Sequence, residues 1–207
     1  MGKFITFEGG DGCGKTSVIK AVIEKLENDG YIIVRTREPG GSVIAEKIRN
    51  IILDVENTGM EYVTESLLYA ACRSQHLHDI VIPSLEAGKV VICDRFVDSS
   101  YVYQGIARGV GFEKVKEINE LVVGDNMPDL TIYIDATPEI CLARRNSRDE
   151  AQNRLDLESL EFHHKVRNGY KQICEMYKDR IVTIDGDQPL EKVIEDTYLV
   201  LSNFLKR

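Results

Sequence analysis

The segment Gly9-Gly10-Asp11-Gly12-Cys13-Gly14-Lys15-Thr16 fits the pattern G-x-x-x-x-G-K-[ST]. Glycines at these spacings let successive backbone N–H groups turn inward around phosphate oxygens. The start of a following helix adds positive potential there. Lys15 is then placed to reach the β- and γ-phosphates of a nucleoside triphosphate, and the Thr16 hydroxyl to ligate Mg²⁺. Ser17 extends the same contact surface. The motif needs a strand before it and a helix after it. Both are expected: 3–7 is a short apolar run, and 17–29 carries apolar residues at 18, 19, 22, 23 and 26 with Gly30 to end it. The motif is silent on what receives the phosphate. No guanine-reading N-K-x-D occurs, and the D-x-x-G at 11–14 lies inside the loop itself, which sets a GTPase aside.

A second group of chemically useful residues surrounds Asp94-Arg95-Phe96, at the end of the apolar run 89–93. In a parallel sheet, ligands bind beyond the carboxyl ends of the strands. An arginine there matches phosphate oxygens bidentately, which makes Arg95 the first candidate for holding an acceptor phosphate. Asp94 fits either a water-mediated Mg²⁺ role or a structural bond to a phosphate-loop group. Tyr69 and Arg73 stand four apart and share a helix face, which is either a binding face or an ordinary amphipathic one. Arg144, Arg145, Arg148 and Arg154 make a basic stretch, either a solvated face or a mobile cover. His76 and His78 do not share a helix face, and His163 and His164 are adjacent, so no metal site is expected from them.

The elements that position these residues alternate in type. Strands are expected at 3–7, 31–35, 89–93, 130–135 and 181–184. Helices are expected at 17–29, 42–53, 62–86, 98–107, 112–124, from 138 until the charged stretch 144–154 interrupts, from there to about 177, and from the last strand to the C-terminus. Ser42 is placed to cap the second helix and Pro83 to kink the third, while Thr137-Pro138 reads as a cap followed by a first-turn proline. Strands alternating with helices imply a parallel sheet covered on both faces.

Composition fits one soluble domain spanning 1–207. Hydrophobic residues are 43% and charged residues 29% of the chain. The net charge of −8 argues against a nonspecific nucleic-acid binder. No apolar run reaches membrane-span length, and the N-terminus does not read as a signal peptide. The five cysteines are scattered without a C-x-x-C pair, as in a cytoplasmic protein with reduced thiols.

The stretch Ile92-Cys93-Asp94-Arg95-Phe96-Val97-Asp98-Ser99-Ser100-Tyr101-Val102-Tyr103-Gln104 resembles the signature of the thymidylate kinase family along its whole length. Arg37-Glu38-Pro39-Gly40-Gly41 resembles the acceptor loop of its bacterial members, and Leu67–Arg73 and Asn153-Arg154-Leu155-Asp156 follow the same family in order and spacing. The resemblance implies a three-layer α/β P-loop NTPase fold with five parallel strands ordered 2-3-1-4-5 and a lid at about 144–155. It also implies transfer of phosphate from ATP to dTMP, giving dTDP on the way to dTTP, with Mg²⁺, in a homodimer built on long helices such as 62–86.

Residue roles follow from that resemblance. Tyr69, where the family usually has Phe, stacks on the pyrimidine. Arg73 donates to thymine O4, where cytosine's amino group would oppose it. Gln104, able to donate and accept, suits the N3–H edge. Tyr103 lies under the sugar and disfavours a 2′-hydroxyl. Arg95 clamps the acceptor phosphate with Arg49 as a second, and Glu38 orients a neighbouring arginine. Ser99 and Ser100 complete the acceptor site. Asp11 resembles the loop acid that contacts the sugar 3′-hydroxyl. Members lacking an arginine after that acid take their catalytic arginine from the lid. Gly12 occupies the position here, so Arg148 is the expected catalytic arginine and Arg145 a nucleotide contact.

Overall fold

In the computed structural model of the chain, residues 2–146, 154 and 158–206 are described. Five parallel strands form one sheet: β1 (Lys3–Glu8), β2 (Ile33–Arg37), β3 (Val90–Asp94), β4 (Leu130–Asp135) and β5 (Ile181–Asp185), in the order β2-β3-β1-β4-β5. β1 is central. Phe7 is in register with Asp94 of β3 on one side and with Ile132 of β4 on the other. The expected strand order holds.

Alternation along the strands divides the apolar residues between two cores. Ile5, Phe7, Ile92, Ile132 and Ile134 face α1 (Lys15–Asn28) and α9 (Leu190–Leu205), packing on Val18, Val22, Leu26 and Leu201. Phe4, Val91, Cys93 and Tyr133 face the other way. There they meet the segment after β3, α6 (Phe112–Val123) and α8 (Leu160–Met176), through Val97, Val102, Val115, Val166 and Tyr170. Burying one such side chain contributes about 1.5–3 kcal/mol, so both layers hold the sheet. This second face also carries polar positions. Thr6 and Thr131 hydroxyls pair at 2.8 Å, and buried Asp98 takes two 2.7 Å bonds from Arg180. These bonds fix the start of the segment that supplies the site.

Three departures from the expected elements are local. β2 begins two residues later than expected, because Tyr31 still belongs to the end of α1. Its N–H donates to Leu26 O and that of Gly30 to Glu27 O, the paired bonds of a Schellman cap, with Gly30 at φ 93°. The expected helix 62–86 is α3 (Tyr62–His76), a π-helical turn at Leu77–Val81, and α4 (Ile82–Glu86). Pro83 has no N–H to give to the α-helical ladder. The π turn precedes it, and Ser84 Oγ bonds Ile80 O at 2.6 Å. The expected helix 98–107 is α5 (Val97–Ser100) followed by a π-helical run at Tyr101–Ala107.

The remaining helices, α2 (Val43–Leu53) and α7 (Pro138–Asn146), lie where the periodicity put them. Ser42 stands at the N-cap of α2 without a side-chain capping bond. Glu46 Oε1 instead reaches back to the Gly41 N–H at 2.8 Å.

Candidate active site

β1 ends at Glu8 and the chain turns through the glycine loop into α1. Gly12 and Gly14 adopt φ 85° and 99°, which only glycine takes readily. A Cβ at Gly12 would collide with the Cys141 carbonyl oxygen of α7. Position 12 therefore has no room for a side chain of any kind, and α7 packs directly on the loop. Lys15 is buried and folds back on the loop, its Nζ donating to Gly9 O at 2.9 Å and Gly10 O at 3.0 Å.

Beside the loop, at the carboxyl ends of β1, β2 and β3, lies a cleft of about 310 Å³, within the range of small-molecule sites. Asp11, Thr16, Asp94, Arg95 and Ser99 line it near the loop. Tyr69, Arg73, Tyr103 and Gln104 line it as well, as do Glu38 and Arg49 from the β2 side. Thus the phosphate loop and nearly every expected acceptor residue share one cavity. Ser100 is the exception. It is buried, stands outside the lining and accepts a 3.2 Å bond from Arg73 Nη1.

Arg95 is the centre of a dense network. Its backbone is left-handed, at φ 69°, with its N–H on Phe7 O. Its Nη2 reaches Asp11 Oδ1 at 2.8 Å and Tyr103 OH at 3.2 Å. Its Nη1 reaches Ser99 Oγ at 3.1 Å and Tyr170 OH at 3.2 Å. Both of those hydroxyls donate hydrogen bonds to Glu8 Oε2, at 2.6 and 2.7 Å. Glu8 Oε1 accepts the Phe96 N–H at 2.8 Å, pinning the peptide that follows Arg95.

Burial opposes the Arg95 charge, but the oxygens of Tyr103, Asp11, Tyr170 and Glu8 around it outweigh burial and hold it protonated. Burial likewise pushes the Asp11 carboxyl up, and Arg95 and Lys15 beside it prevail, holding it far below the usual carboxylate range. Glu8 goes the other way. Burial, with the nearby Asp98 charge, pushes it up to about 7.

Arg73 is fully buried and fixed on three sides. Its Nε bonds Glu38 Oε2 at 2.8 Å, its Nη1 bonds Ser100 and Asn119 Oδ1, and the guanidinium lies over the Phe96 ring at 5.1 Å. Glu38 is held in turn by His76 Nδ1 at 2.9 Å, whose Nε2 pairs with Thr36 Oγ1 at 2.7 Å. The expected orienting role of Glu38 has this geometry. Arg49 Nη1 bonds Pro39 O at 2.6 Å and so lies against the acceptor loop.

The basic stretch divides. Arg144 turns onto the phosphate loop and the β5–α9 connection, with Nη1 on Gly186 O at 3.0 Å. Arg145 stands next to Gly12. Arg154 is buried beneath the cleft against Glu65 and Ile52 O, not on a solvated face. Arg148 lies outside the described residues.

Sequence reasoning missed Glu8, Tyr170, Glu65 and the structural use of His76. Glu8 had a signal: a carboxylate ending an otherwise apolar strand, immediately before the glycine loop. Glu65 and His76 had another, since 65, 69, 73 and 76 follow one helix face, and all four are buried. Tyr170 had none, because only the packing of α8 on β4 and β5 brings it to Glu8.

Comparison with known proteins agrees with this arrangement. The profile of the family described as Thymidylate kinase matches residues 7–197. A protein named Thymidylate kinase from Ligilactobacillus salivarius is 56% identical, with 99% of each chain covered. Another of that name, from Halalkalibacterium halodurans, is 51% identical over 99% of this chain and 98% of its own. The crystal structure of thymidylate kinase from Ehrlichia chaffeensis superposes with a TM-score of 0.79 at 33% identity, covering 97% of this chain and 98% of that one. The chain belongs to the thymidylate kinase family.

Proposed function

We propose that this chain transfers the γ-phosphoryl group of ATP to the 5′-phosphate of dTMP, giving dTDP. The observation that carries the reading is the single cleft in which the phosphate loop meets Arg95 and the paired Arg73 and Gln104. Gln104 Nε2 is spent on Glu65 at 2.7 Å, so its Oε1 is the acceptor left for an N3–H. Arg73, whose Nε and Nη1 are engaged inside the protein, has Nη2 left to donate to a 4-oxo group. A uracil-type edge carries both complements, and cytosine carries neither. Tyr69 supplies the stacking face.

The attacking group is an oxygen of the acceptor phosphate, whose second pKa near 6 leaves it mostly dianionic at neutral pH. No general base is needed. Transfer through a loose transition state requires alignment and charge neutralisation. Lys15 serves the donor phosphates and Arg95 the acceptor phosphate. Asp11 serves both Arg95 and the acceptor sugar, and the lid arginines, with Arg148 first, serve the transferring group. Lid closure excludes water and suppresses ATP hydrolysis.

The site also fits a divalent cation. Asp94 ends β3 with no side-chain hydrogen bond or ion pair among the described residues, and it shares the cleft wall with the Thr16 hydroxyl. These two would hold Mg²⁺, which supplies charge neutralisation on the donor phosphates when bound.

Exposed Ile44 and Ile51 on α2, Val63 and Leu67 on α3 and Leu121 on α6 lie on neighbouring helices and support a homodimer through that face. Five unpaired cysteines support a reducing, cytoplasmic setting. No helix among the described residues is long and apolar enough to cross a membrane.

The test is ADP release with ATP and Mg²⁺ across dTMP, dUMP, dCMP, UMP, AMP and GMP. A clear preference for dTMP with dUMP weaker is expected. Tight ATP binding without turnover of any acceptor would overturn the acceptor assignment and leave a nucleotide-binding module.

A further inference from the structure

Behind the base-reading end of the cleft stands a group that the transfer reaction does not use. Glu65 is fully buried on α3, one turn before Tyr69 and two before Arg73. Its Oε1 accepts from Gln104 Nε2 at 2.7 Å and its Oε2 from Arg154 Nη2 at 2.5 Å. Arg108 Nε lies 3.6 Å from Oε1, outside hydrogen-bond reach, while Arg108 Nη1 pairs with Glu158 at 2.6 Å. Arg154 is itself fixed by Ile52 O at 2.9 Å.

A primary amide has one donating and one accepting end, and its rotation is decided by its neighbours. An oxygen approached by an amide and by guanidinium N–H groups accepts. The NH₂ of Gln104 is therefore turned to Glu65 and its Oε1 toward the cleft, where it takes no hydrogen bond from a described residue.

We propose that Glu65 is the positioning residue that sets base specificity. By fixing the rotation of the Gln104 amide, it makes the cleft present an acceptor where a pyrimidine N3 arrives. An imide N3–H satisfies that acceptor. The N3 lone pair of cytosine is repelled by it. Glu65 touches no substrate and acts through Gln104. The inference rests on reading the cleft as a thymine site and names the residue behind its selectivity.

Glu65→Gln tests this with little change in size. The new side chain has one carbonyl oxygen, and Arg154, the guanidinium at hydrogen-bond distance, claims it. Its NH₂ then faces Gln104, whose amide must turn and present its own NH₂ to the cleft. The readout is the ratio of kcat/KM for dTMP over 5-methyl-dCMP, measured with ATP and Mg²⁺. The two nucleotides share methyl, sugar and phosphate and differ only at N3 and C4.

The ratio is expected to fall at least about tenfold, as for a buried donor set against a donor, with the KM for ATP within about twofold. Part of the preference remains because Arg73 still opposes the 4-amino group. Glu65→Asp, which keeps an acceptor-only group, is expected to hold the ratio within about threefold of wild type. Both nucleotides meet the same folded fraction, so partial unfolding cancels in the ratio. A Glu65→Gln enzyme slowed equally on both nucleotides, with the wild-type ratio intact, overturns the proposal and leaves Glu65 a structural group only. A wild-type enzyme without preference for dTMP over 5-methyl-dCMP overturns the thymine reading, and this inference with it.

Discussion

Lys15 lies within 3.0 Å of the Gly9 and Gly10 carbonyls, so its charge is already held at the loop. Lys15→Ala is expected to abolish transfer, read as ADP release, with the folded melting transition kept. Near-wild-type turnover would remove Lys15 from the mechanism. Arg73 is a fork, with Nε and Nη1 anchored on Glu38, Ser100 and Asn119. An ammonium has no such fork. Arg73→Lys should lower kcat/KM for dTMP by about tenfold or more and narrow the dTMP-over-dCMP ratio, leaving the KM for ATP unchanged. A ratio that does not move would refute the edge reading.

Glu8 gives a pH signature. Its carboxyl is pushed up to about 7 by burial and by Asp98, from an ordinary value of 4.5. A folded carboxyl with a raised pKa binds more protons than the unfolded chain. The stability it contributes is complete below about 4.5 and is lost as pH rises through about 7. Glu8→Gln is neutral throughout. Its melting temperature relative to wild type should therefore rise between pH 5 and pH 8, and a constant difference would contradict the assignment. Lys15 and Arg95 were legible in the sequence because motif and strand end marked them. Glu8 was less so, because its value depends on Ser99, Tyr170 and Asp98, which arrive from two other elements.

At the scale of elements, α7 and the phosphate loop are packed with no space between them at Gly12. Gly12→Ala adds a Cβ at φ 85° against the Cys141 carbonyl, so either the loop or α7 must move. Transfer should fall at least about tenfold, with far-ultraviolet circular dichroism unchanged, given strain of about 1–2 kcal/mol and lost loop geometry. A fully active variant would show that the loop tolerates the shift. The same packing leaves no room for an arginine at position 12. Arg148→Ala is expected to lower kcat more than it raises the KM for ATP. If Arg145→Ala does this instead, the role passes to Arg145, which stands beside Gly12.

Helix type was readable from periodicity, but hydrogen-bond register was not. The π runs at 77–81 and 101–107 contain the same apolar spacing as an α-helix over such short lengths. The run at 101–107 packs on α6 and α8, and the turn at 77–81 comes just before Pro83, neither of which the apolar spacing records.

At the scale of the whole molecule, the parallel sheet gathers the carboxyl ends of β1, β2 and β3 at one edge, and the cleft lies there. The opposite concern is the outer face of α2, α3 and α6, where Leu67 is 52% and Leu121 90% exposed. Sedimentation at micromolar concentration should give about twice the 23.4 kDa chain mass. Leu67→Glu should shift that to the monomer, and a wild-type monomer would reject the dimer.

The sequence by itself determined the phosphate loop, the strand–helix alternation and the family signature. Each is carried by residues close together in the chain, where local geometry and period suffice. It also determined which face of α3 carries Tyr69 and Arg73. Only the tertiary structure decided which way the Gln104 amide points, what holds Arg95 in its left-handed turn, and that Arg154 is buried under the cleft. Those outcomes depend on Glu65, Glu8 and Tyr170, which stand 39, 91 and 71 positions from Gln104 or Ser99 in the chain. Hydrogen bonds across such separations exist only once packing has brought the elements together, so no local pattern records them.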